Sequence, residues 1–200
     1  MNILAVDATG EVLSVALDAI GKVYAVRRSG KRPHDETLLP AVEAVLKRAK
    51  INWDDLDVVA AAAGPGRFTG IRIGLSFASI LGMKLKIPAL ALSRLEAAAE
   101  KSGADDVLAA LPGWKEEVYH QRFRRKKSGL AAVGEAEWTE PLAWPQRLAA
   151  AQSDGFVLAE GGVDAADLLP VARRYLKSKK MPPFKPFYLK PAGYEKKSVR

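Results

Sequence analysis

Few side chains in this 200-residue sequence are suited to catalysis. It contains two widely separated histidines, His34 and His120, and no cysteine. Because a metal site needs several ligands close together and thiolate chemistry needs cysteine, the sequence predicts no metal site and no catalytic residue. Asp7, which follows an apolar run, is the best candidate for contact with Mg²⁺ or a nucleotide. The alternative is a carboxylate that caps the turn after a strand.

A glycine-rich segment, Gly64–Gly74 (GPGRFTGIRIG), lies between a predicted buried strand and a long apolar helix. This arrangement can present backbone N–H groups to an anion. It lacks the Lys-Ser/Thr pair of a P-loop, so no side chain is placed for a β- or γ-phosphate. The alternative is a tight connection that binds no ligand. The candidate nucleotide or anion contacts are Asp7, Thr9, Gly64, Gly66 and Thr69.

The helix predicted over Gly70–Lys86 has small residues at every fourth position, which places them on one face. About two-thirds of its circumference is apolar or glycine, more than the roughly 100° needed to cover one sheet. The sequence therefore predicts that this face contacts a helix of another subunit; the alternative is a helix buried inside its own lobe. A membrane span is not expected, because basic residues interrupt a stretch shorter than about 20 residues. The predicted partner-binding residues are Gly70, Ile71, Gly74, Leu75, Ala78 and Gly82.

The net charge of +8 is concentrated near the C-terminus. Residues 173–200 hold ten Lys and Arg residues against Glu195, whereas the other 172 residues hold 21 basic and 22 acidic groups. A basic tail of this kind indicates attraction to nucleic acid or another acidic surface. A solvated terminus without a partner is the alternative. The N-terminal run Met1–Asp7 has no charged region before it and is predicted as a strand, not a signal peptide, in a cytoplasmic protein.

The order of predicted elements, β-β-β-α-β-α-β-α, indicates a mixed sheet followed by a shorter second half. Ribonuclease H-like and actin-like ATPase folds share this order. We expect a first lobe over residues 1–103 and an abbreviated second lobe with a basic tail over residues 104–200. The predicted strands are Asn2–Asp7, Glu11–Asp18, Lys22–Arg28, Asp57–Ala63, Pro88–Leu92, Val107–Leu111, Glu117–Arg125 and Phe156–Ala159. The predicted helices begin near Asp35–Thr37 and after the Ser93 cap, and span Gly70–Lys86, Trp144–Gln152 and Ala165–Leu176.

The glycine-rich segment is similar to the GPGSFTGxRIG signature of the bacterial TsaB (YeaZ) family. Four further segments resemble the same family, so the similarity spans nearly the whole chain and is dense in the first 95 or so residues. These segments are Ile3–Asp7, His34–Pro40, Val118-Tyr119 and Phe187–Lys190.

The resemblance implies a two-lobed actin-like ATPase fold and a role in forming threonylcarbamoyladenosine at position 37 of tRNA. It implies a non-catalytic subunit that binds the catalytic subunit TsaD and, with it, the ATPase TsaE. It also implies a homodimer in the absence of TsaD, contact with tRNA through the complex, and no membrane. No intrinsic cofactor is expected; ATP or ADP with Mg²⁺ at a shared interface is the alternative.

Three positions depart from the family pattern. Arg67 replaces a serine, Thr9 is displaced by one residue after Asp7, and Leu111-Pro112-Gly113-Trp114 stands where an aspartate is usual. Loss of this second acid argues against independent ATP hydrolysis. A stand-alone ATP-dependent phosphotransferase or hydrolase and a glycoprotease-type peptidase stay open as alternative functions.

Overall fold

The computed structural model describes residues 1–30, 32–127 and 129–190 and contains two mixed sheets. The first has strand order β3-β2-β1-β4-β5. β1 pairs antiparallel with β2 and parallel with β4, so that Ala5 lies opposite both Ala16 and Ala60. This confirms the mixed sheet predicted from the element order. The strands are β1 (Asn2–Asp7), β2 (Leu13–Ala19), β3 (Lys22–Arg28), β4 (Val58–Gly64) and β5 (Ala89–Ser93).

Two helices, α1 (His34–Ala49) and α2 (Phe68–Leu85), cover one face of this sheet. Each has an apolar face that is buried against the strands, as expected for helices that cover a sheet. Lys50 and Lys86 end them in the left-handed conformation, with their N–H groups bonded to the last carbonyls. By length and composition α2 could also cross a membrane; 33% of this stretch is buried, through the face that packs on the first sheet.

The small-residue stripe of α2 faces the sheet of its own lobe. A Cβ atom on Gly70 would lie 1.9 Å from the carbonyl oxygen of Ala8, and one on Gly74 would lie 3.8 Å from the Ala61 Cβ. Ala78 and Gly82 are buried on the same side. This corrects the prediction that the stripe Gly70, Gly74, Ala78 and Gly82 contacts another subunit. Gly70 lets the helix approach the residues after β1 closely, and Gly82 lets it approach the start of β5, so the helix is packed inside its own lobe, which is the alternative that the sequence left open.

The second sheet has strand order β8-β7-β6-β9 and repeats the pattern of the first in shortened form. Strand β8 was not predicted, because its residues include glycines, alanines and glutamates that are rare in strands; cross-strand pairing with β7 holds it in place. The elements are β6 (Asp106–Pro112), β7 (Val118–Lys126), β8 (Gly129–Thr139), α4 (Trp144–Ser153) and β9 (Val157–Glu160).

Because β8 flanks β7, the basic run Arg122–Lys126 at the end of β7 does not lie at a sheet edge. Its arginines form ion pairs instead: Arg122 Nη1 lies 2.8 Å from Asp154 Oδ2, and Arg125 Nη1 lies 3.2 Å from Glu100 Oε1. The charge of the run is thereby partly neutralised.

Two helices, α3 (Arg94–Ser102) and α5 (Ala165–Ser178), form a layer between the two sheets. Helix α3 follows the first sheet in sequence but packs chiefly on β6 and β7, whereas α5 follows the second sheet and packs on β1, β2 and β4. Ser14 Oγ accepts a 2.9 Å hydrogen bond from the N–H of Ala165. The predicted boundary between residues 103 and 104 therefore separates sequence segments that share one core.

Part of the predicted basic tail belongs to this core. Arg173 Nε donates to Asp18 Oδ2 at 2.7 Å, and Arg174 pairs with Glu96. Tyr175 Oη also donates to Glu96, and burial together with that carboxylate raises the pKa of Tyr175 to about 12. Arg173 and Arg174 therefore stabilise α5 and do not belong to a solvated tail. Residues 191–200, with Lys196, Lys197 and Arg200, lie outside the described residues.

Candidate functional site

A cleft of about 1300 Å³ lies between the lobes. One wall is formed by the β1–β2 connection and the glycine-rich segment, and the other by the β6–β7 connection. The C-terminal segment Phe187–Lys190 also lines it. Of the predicted nucleotide contacts, Asp7, Thr9 and Gly66 line the cleft.

The Asp7 side chain is buried, and both of its oxygens already accept hydrogen bonds. Oδ1 accepts from the N–H of Thr9 at 2.8 Å and from Thr9 Oγ1 at 2.6 Å, and Oδ2 accepts from Arg94 Nε at 3.0 Å. Thr9 is thus placed to bond Asp7 despite its displacement by one position. This is the turn-capping alternative for Asp7, with a buried arginine added.

Arg94 links three separate segments of the chain. Besides Asp7, its guanidinium donates to the carbonyl oxygens of Pro65, at 3.0 Å, and of Val163, at 3.3 Å. Its side chain is only 11% exposed. Sequence reasoning missed this residue, because its partners lie 29 to 87 positions away and no local pattern marks it.

The glycines of the GPG turn make room for other parts of the same chain. Gly64 has φ of 116°, and a Cβ there would lie 2.7 Å from the carbonyl oxygen of Phe187. A Cβ on Gly66 would lie 2.7 Å from the Thr9 Cβ. Phe187 N–H donates to the carbonyl of Ala63 at 2.8 Å, which fixes the C-terminal segment against β4. The close approaches that require these glycines are intramolecular, while Thr69 is exposed at the start of α2.

These contacts test whether the cleft fits a magnesium nucleotide. A Mg²⁺ ion would have to compete with Arg94 for Asp7, and the β6–β7 connection places Trp114 and Lys115 on the opposite wall of the cleft. Across residues 1–30, 32–127 and 129–190, no three His, Asp or Glu side chains are grouped for a metal ion. The residues present therefore do not fit Mg²⁺ with a nucleotide within this chain alone.

The β6–β7 connection is a tight turn closed by a hydrogen bond from the Gly113 N–H to the Glu117 carbonyl at 2.6 Å. Lys115 and Glu116 have φ of 54° and 62°, unusual values for residues other than glycine. The turn projects Trp114, which is 71% exposed, at the cleft. Glu117 is buried and pairs with Lys190, which ties this turn to the C-terminal segment.

The opposite rim carries a cluster of three side chains that contact one another. The Phe68 and Tyr188 rings lie 4.9 Å apart, and the Arg72 guanidinium lies 3.9 Å from the Phe68 ring centre. Arg72 Nε also donates to Tyr188 Oη at 3.3 Å. The start of α2 is thereby joined to the C-terminal segment.

His34 contacts the β1–β2 connection through both of its ring nitrogens. Its Nδ1 lies 3.0 Å from the Ala8 carbonyl oxygen and its Nε2 lies 3.2 Å from that of Glu11. His34, the first residue of α1, is therefore a polar contact between this helix and the β1–β2 connection.

The face of α2 away from the glycine stripe carries apolar side chains that the described chain leaves partly or largely exposed. Ile80 and Met83 are 68% and 79% exposed, and Ile73 and Phe77 are half-buried beside them. These four residues recur at helical spacing and form one strip, which we call the outer face of α2. Surface helices normally place polar residues there, so the outer face is a candidate contact surface.

The two mixed sheets and the helix layer that they share define a two-lobed protein with an actin-like fold. The family model described as "TsaD: tRNA N6-adenosine threonylcarbamoyltransferase" matches residues 26–139. The tRNA threonylcarbamoyladenosine biosynthesis protein TsaB of Escherichia coli K12 is 32% identical in an alignment of 201 positions, gaps included, that covers 86% of each chain. The Bacillus subtilis protein of the same name is 36% identical over 153 residues, 71% of this chain and 66% of that one.

Solved structures agree with this relationship. YeaZ from Pseudomonas aeruginosa superimposes with a TM-score of 0.75 at 25% identity and covers 94% of this chain and 99% of its own. A tRNA N6-adenosine threonylcarbamoyltransferase of Erythrobacter litoralis is 40% identical over 75 residues, 38% of this chain and 22% of that protein. The chain belongs to the TsaB (YeaZ) family, whose members are tRNA threonylcarbamoyladenosine biosynthesis proteins.

Proposed function

We propose that this chain is a non-catalytic subunit of the cytoplasmic complex that forms N6-threonylcarbamoyladenosine at position 37 of tRNA. In this proposal it binds a TsaD-like catalytic subunit and, with it, a TsaE-like ATPase. The observation that supports it best is the outer face of α2: an apolar strip on an α/β layer that is otherwise packed against its own sheet.

A TsaD-like partner suits this strip because it shares the fold. The TsaD family model matches more than half of this chain, so such a partner has an equivalent helix layer on an equivalent sheet. Two related helices can pair through apolar faces of similar spacing. When the partner is absent, a second copy of this chain can offer the same strip, which gives the homodimer.

The non-catalytic role rests on Asp7. In a chain that hydrolyses ATP on its own, this carboxylate must be accessible to Mg²⁺ and water, whereas here Thr9 and Arg94 occupy both of its oxygens. We expect no steady ATP turnover by the isolated protein; phosphate release that Asp7→Ala abolishes would favour the stand-alone hydrolase. Nucleotide at an interface shared with the partner stays a proposal, as does contact of the C-terminal residues with tRNA.

The outer face is tested by introducing charges into it. Ile80→Asp/Met83→Asp places two carboxylates where the partner would bury apolar surface, and uncompensated burial of charge is costly. We expect at least about tenfold weaker association with the purified TsaD-like subunit of the same organism, measured by sedimentation or titration calorimetry. The homodimer should weaken in parallel.

Leu142→Asp is the matched control, because Leu142 is 97% exposed and lies before α4 in the other lobe. It should bind the partner like the unaltered protein. All three proteins should melt at similar temperatures, since the altered side chains are exposed. Unchanged association of Ile80→Asp/Met83→Asp would show that the partner binds elsewhere.

A further inference from the structure

We propose that the inter-lobe cleft binds an unpaired nucleotide of an RNA strand, with its base stacked on Trp114 and its backbone phosphates held by Lys115 and Arg67. This inference rests on the proposed function, because a role in tRNA modification brings the chain close to RNA. It assigns a ligand to a cleft whose residues do not fit a magnesium nucleotide.

Trp114 supplies the stacking surface. An indole that is 71% exposed at the wall of a 1300 Å³ cleft is unusual, since large aromatic side chains are normally mostly buried. The ring is presented by a closed turn in which Lys115 and Glu116 both have positive φ. Strained backbone of this kind is typical of ligand-binding turns. Base-on-aromatic stacking is favourable for every base.

The charges at the cleft favour a phosphate backbone. Three cations that line it have acidic partners: Arg94 with Asp7, Lys190 with Glu117, and Arg27 with Asp164. Arg67 and Lys115 also line it and, among the described residues, form no ion pair.

One acid on that wall, Glu11, is likewise exposed and outside any such pair. Among the described residues that line the cleft, two cations outside any ion pair therefore oppose one such anion, while the exposed Glu116 of the same turn is not part of the lining. A groove that combines positive charge with an exposed aromatic side chain is the arrangement by which single strands are bound.

The opposite rim of the cleft is formed in part by the cluster of Phe68, Tyr188 and Arg72. Phe68 contacts both the Tyr188 ring and the Arg72 guanidinium, and Arg72 also bonds Tyr188, so these three side chains are held by one another. Phe68 is half-buried in this cluster, whereas Trp114 is 71% exposed, so Trp114 is the stacking position in the proposal.

The test uses the full-length protein and a fluorescent single-stranded oligoribonucleotide of about 8 nucleotides, with binding followed by anisotropy. We expect Trp114→Ala to weaken binding by roughly 5- to 150-fold without changing the salt dependence, and Trp114→Phe to restore much of it. Lys115→Asn, which tolerates the left-handed backbone, should reduce the slope of log K against log[salt] by about 0.7, as should Arg67→Ser.

Lys126→Asn is the matched control, because Lys126 is exposed at the far end of β7 from the cleft. It should leave affinity and salt slope nearly unchanged. Absence of binding by the unaltered protein, or unchanged affinity of Trp114→Ala, would overturn the proposal. Adenosine monophosphate that competes as well as the oligonucleotide would also overturn it, in favour of a free nucleotide. These results are independent of the partner-binding test on α2, so failure of either proposal is seen separately.

Discussion

Arg94 Nε lies 3.0 Å from Asp7 Oδ2, and the two side chains are only 11% and 3% exposed. This buried pair joins the end of β1 to the start of α3. The same guanidinium bonds the GPG turn and the segment before α5, so one side chain connects both lobes at the floor of the cleft. Asp7, which was the candidate contact for Mg²⁺ or a nucleotide, therefore stabilises the fold by pairing with Arg94.

The first prediction concerns this pair. Arg94→Met should destabilise the protein by about 3–5 kcal/mol, because it leaves the Asp7 carboxylate buried without a cation. Asp7→Asn/Arg94→Met should recover part of that loss, since no charge is then left unpaired. Urea unfolding measures both values. Arg147→Met is the control: its pair with Glu137 is exposed and should contribute less than about 1 kcal/mol. Equal losses in Arg94→Met and Arg147→Met would contradict the prediction.

The second prediction compares two glycines of α2. Gly74→Ala should be neutral or stabilise the protein by up to about 1 kcal/mol, because its Cβ would make ordinary contacts with Ala61 and Val6 while helix propensity rises. Gly70→Ala should destabilise it by about 1–3 kcal/mol or more, since its Cβ would overlap the Ala8 carbonyl.

Thermal melting of the two variants side by side measures the difference. If both glycines tolerated alanine equally, α2 would not approach β1 as closely as described.

The third prediction concerns His120, which is buried with its Nε2 2.7 Å from Thr139 Oγ1. Burial is the main cause that lowers the pKa of His120 below its usual 6.5. The unfolded chain therefore binds more protons than the folded protein at mildly acidic pH. The contribution of neutral His120 should be fully present above about pH 6.5 and be lost as the pH falls below it.

The difference in unfolding free energy between the unaltered protein and His120→Gln, measured from neutral to mildly acidic pH, checks this. The unaltered protein should lose stability relative to the variant on acidification. Parallel pH profiles would show that His120 is not protonated on unfolding in this range.

The fourth prediction concerns the lobe boundary. A fragment of residues 1–103 should fail to fold alone, because α5 covers the inner face of its sheet and buries residues such as Ile3 and Val58. Circular dichroism and dye binding would detect the exposed apolar surface. Adding residues 104–190 as a separate chain should restore structure. A cooperative melt of the fragment by itself would mean that the first lobe is independent of α5.

The sequence predicted what depends on local pattern. Apolar runs bounded by short turns located β1, β4 and β5, and the element order was sufficient for the mixed sheet. The bounds of β2 were less accurate: the strand was predicted from Glu11 and begins at Leu13. Gly64 and Gly66 were predicted to contact an anion or nucleotide, and Gly70 to contact a partner; each lies close to other atoms of the same chain, which spacing alone could not show.

What the sequence did not reveal depends on distant contacts. The role of Asp7 is decided by Arg94, which lies 87 positions away, and the inward direction of the α2 stripe is decided by the backbone of Ala8. The stripe that was predicted to contact a partner is buried on its own sheet, since small residues suit packing on a sheet as well as on another helix. Strand β8 has little intrinsic strand preference and exists because β7 pairs with it.

The crossed placement of α3 and α5 makes the chain the intramolecular equivalent of a domain-swapped pair. Helix α3 of the first segment packs on the second sheet, and helix α5 of the second segment packs on the first sheet. The two helices also pack against each other in the central layer. Hinged opening of the lobes would have to pull this layer apart, whereas proteins that close on a ligand keep their hinge in a few loop residues. The cleft and the outer face of α2 are consequently held at a constant relative orientation, and any partner meets a preassembled surface.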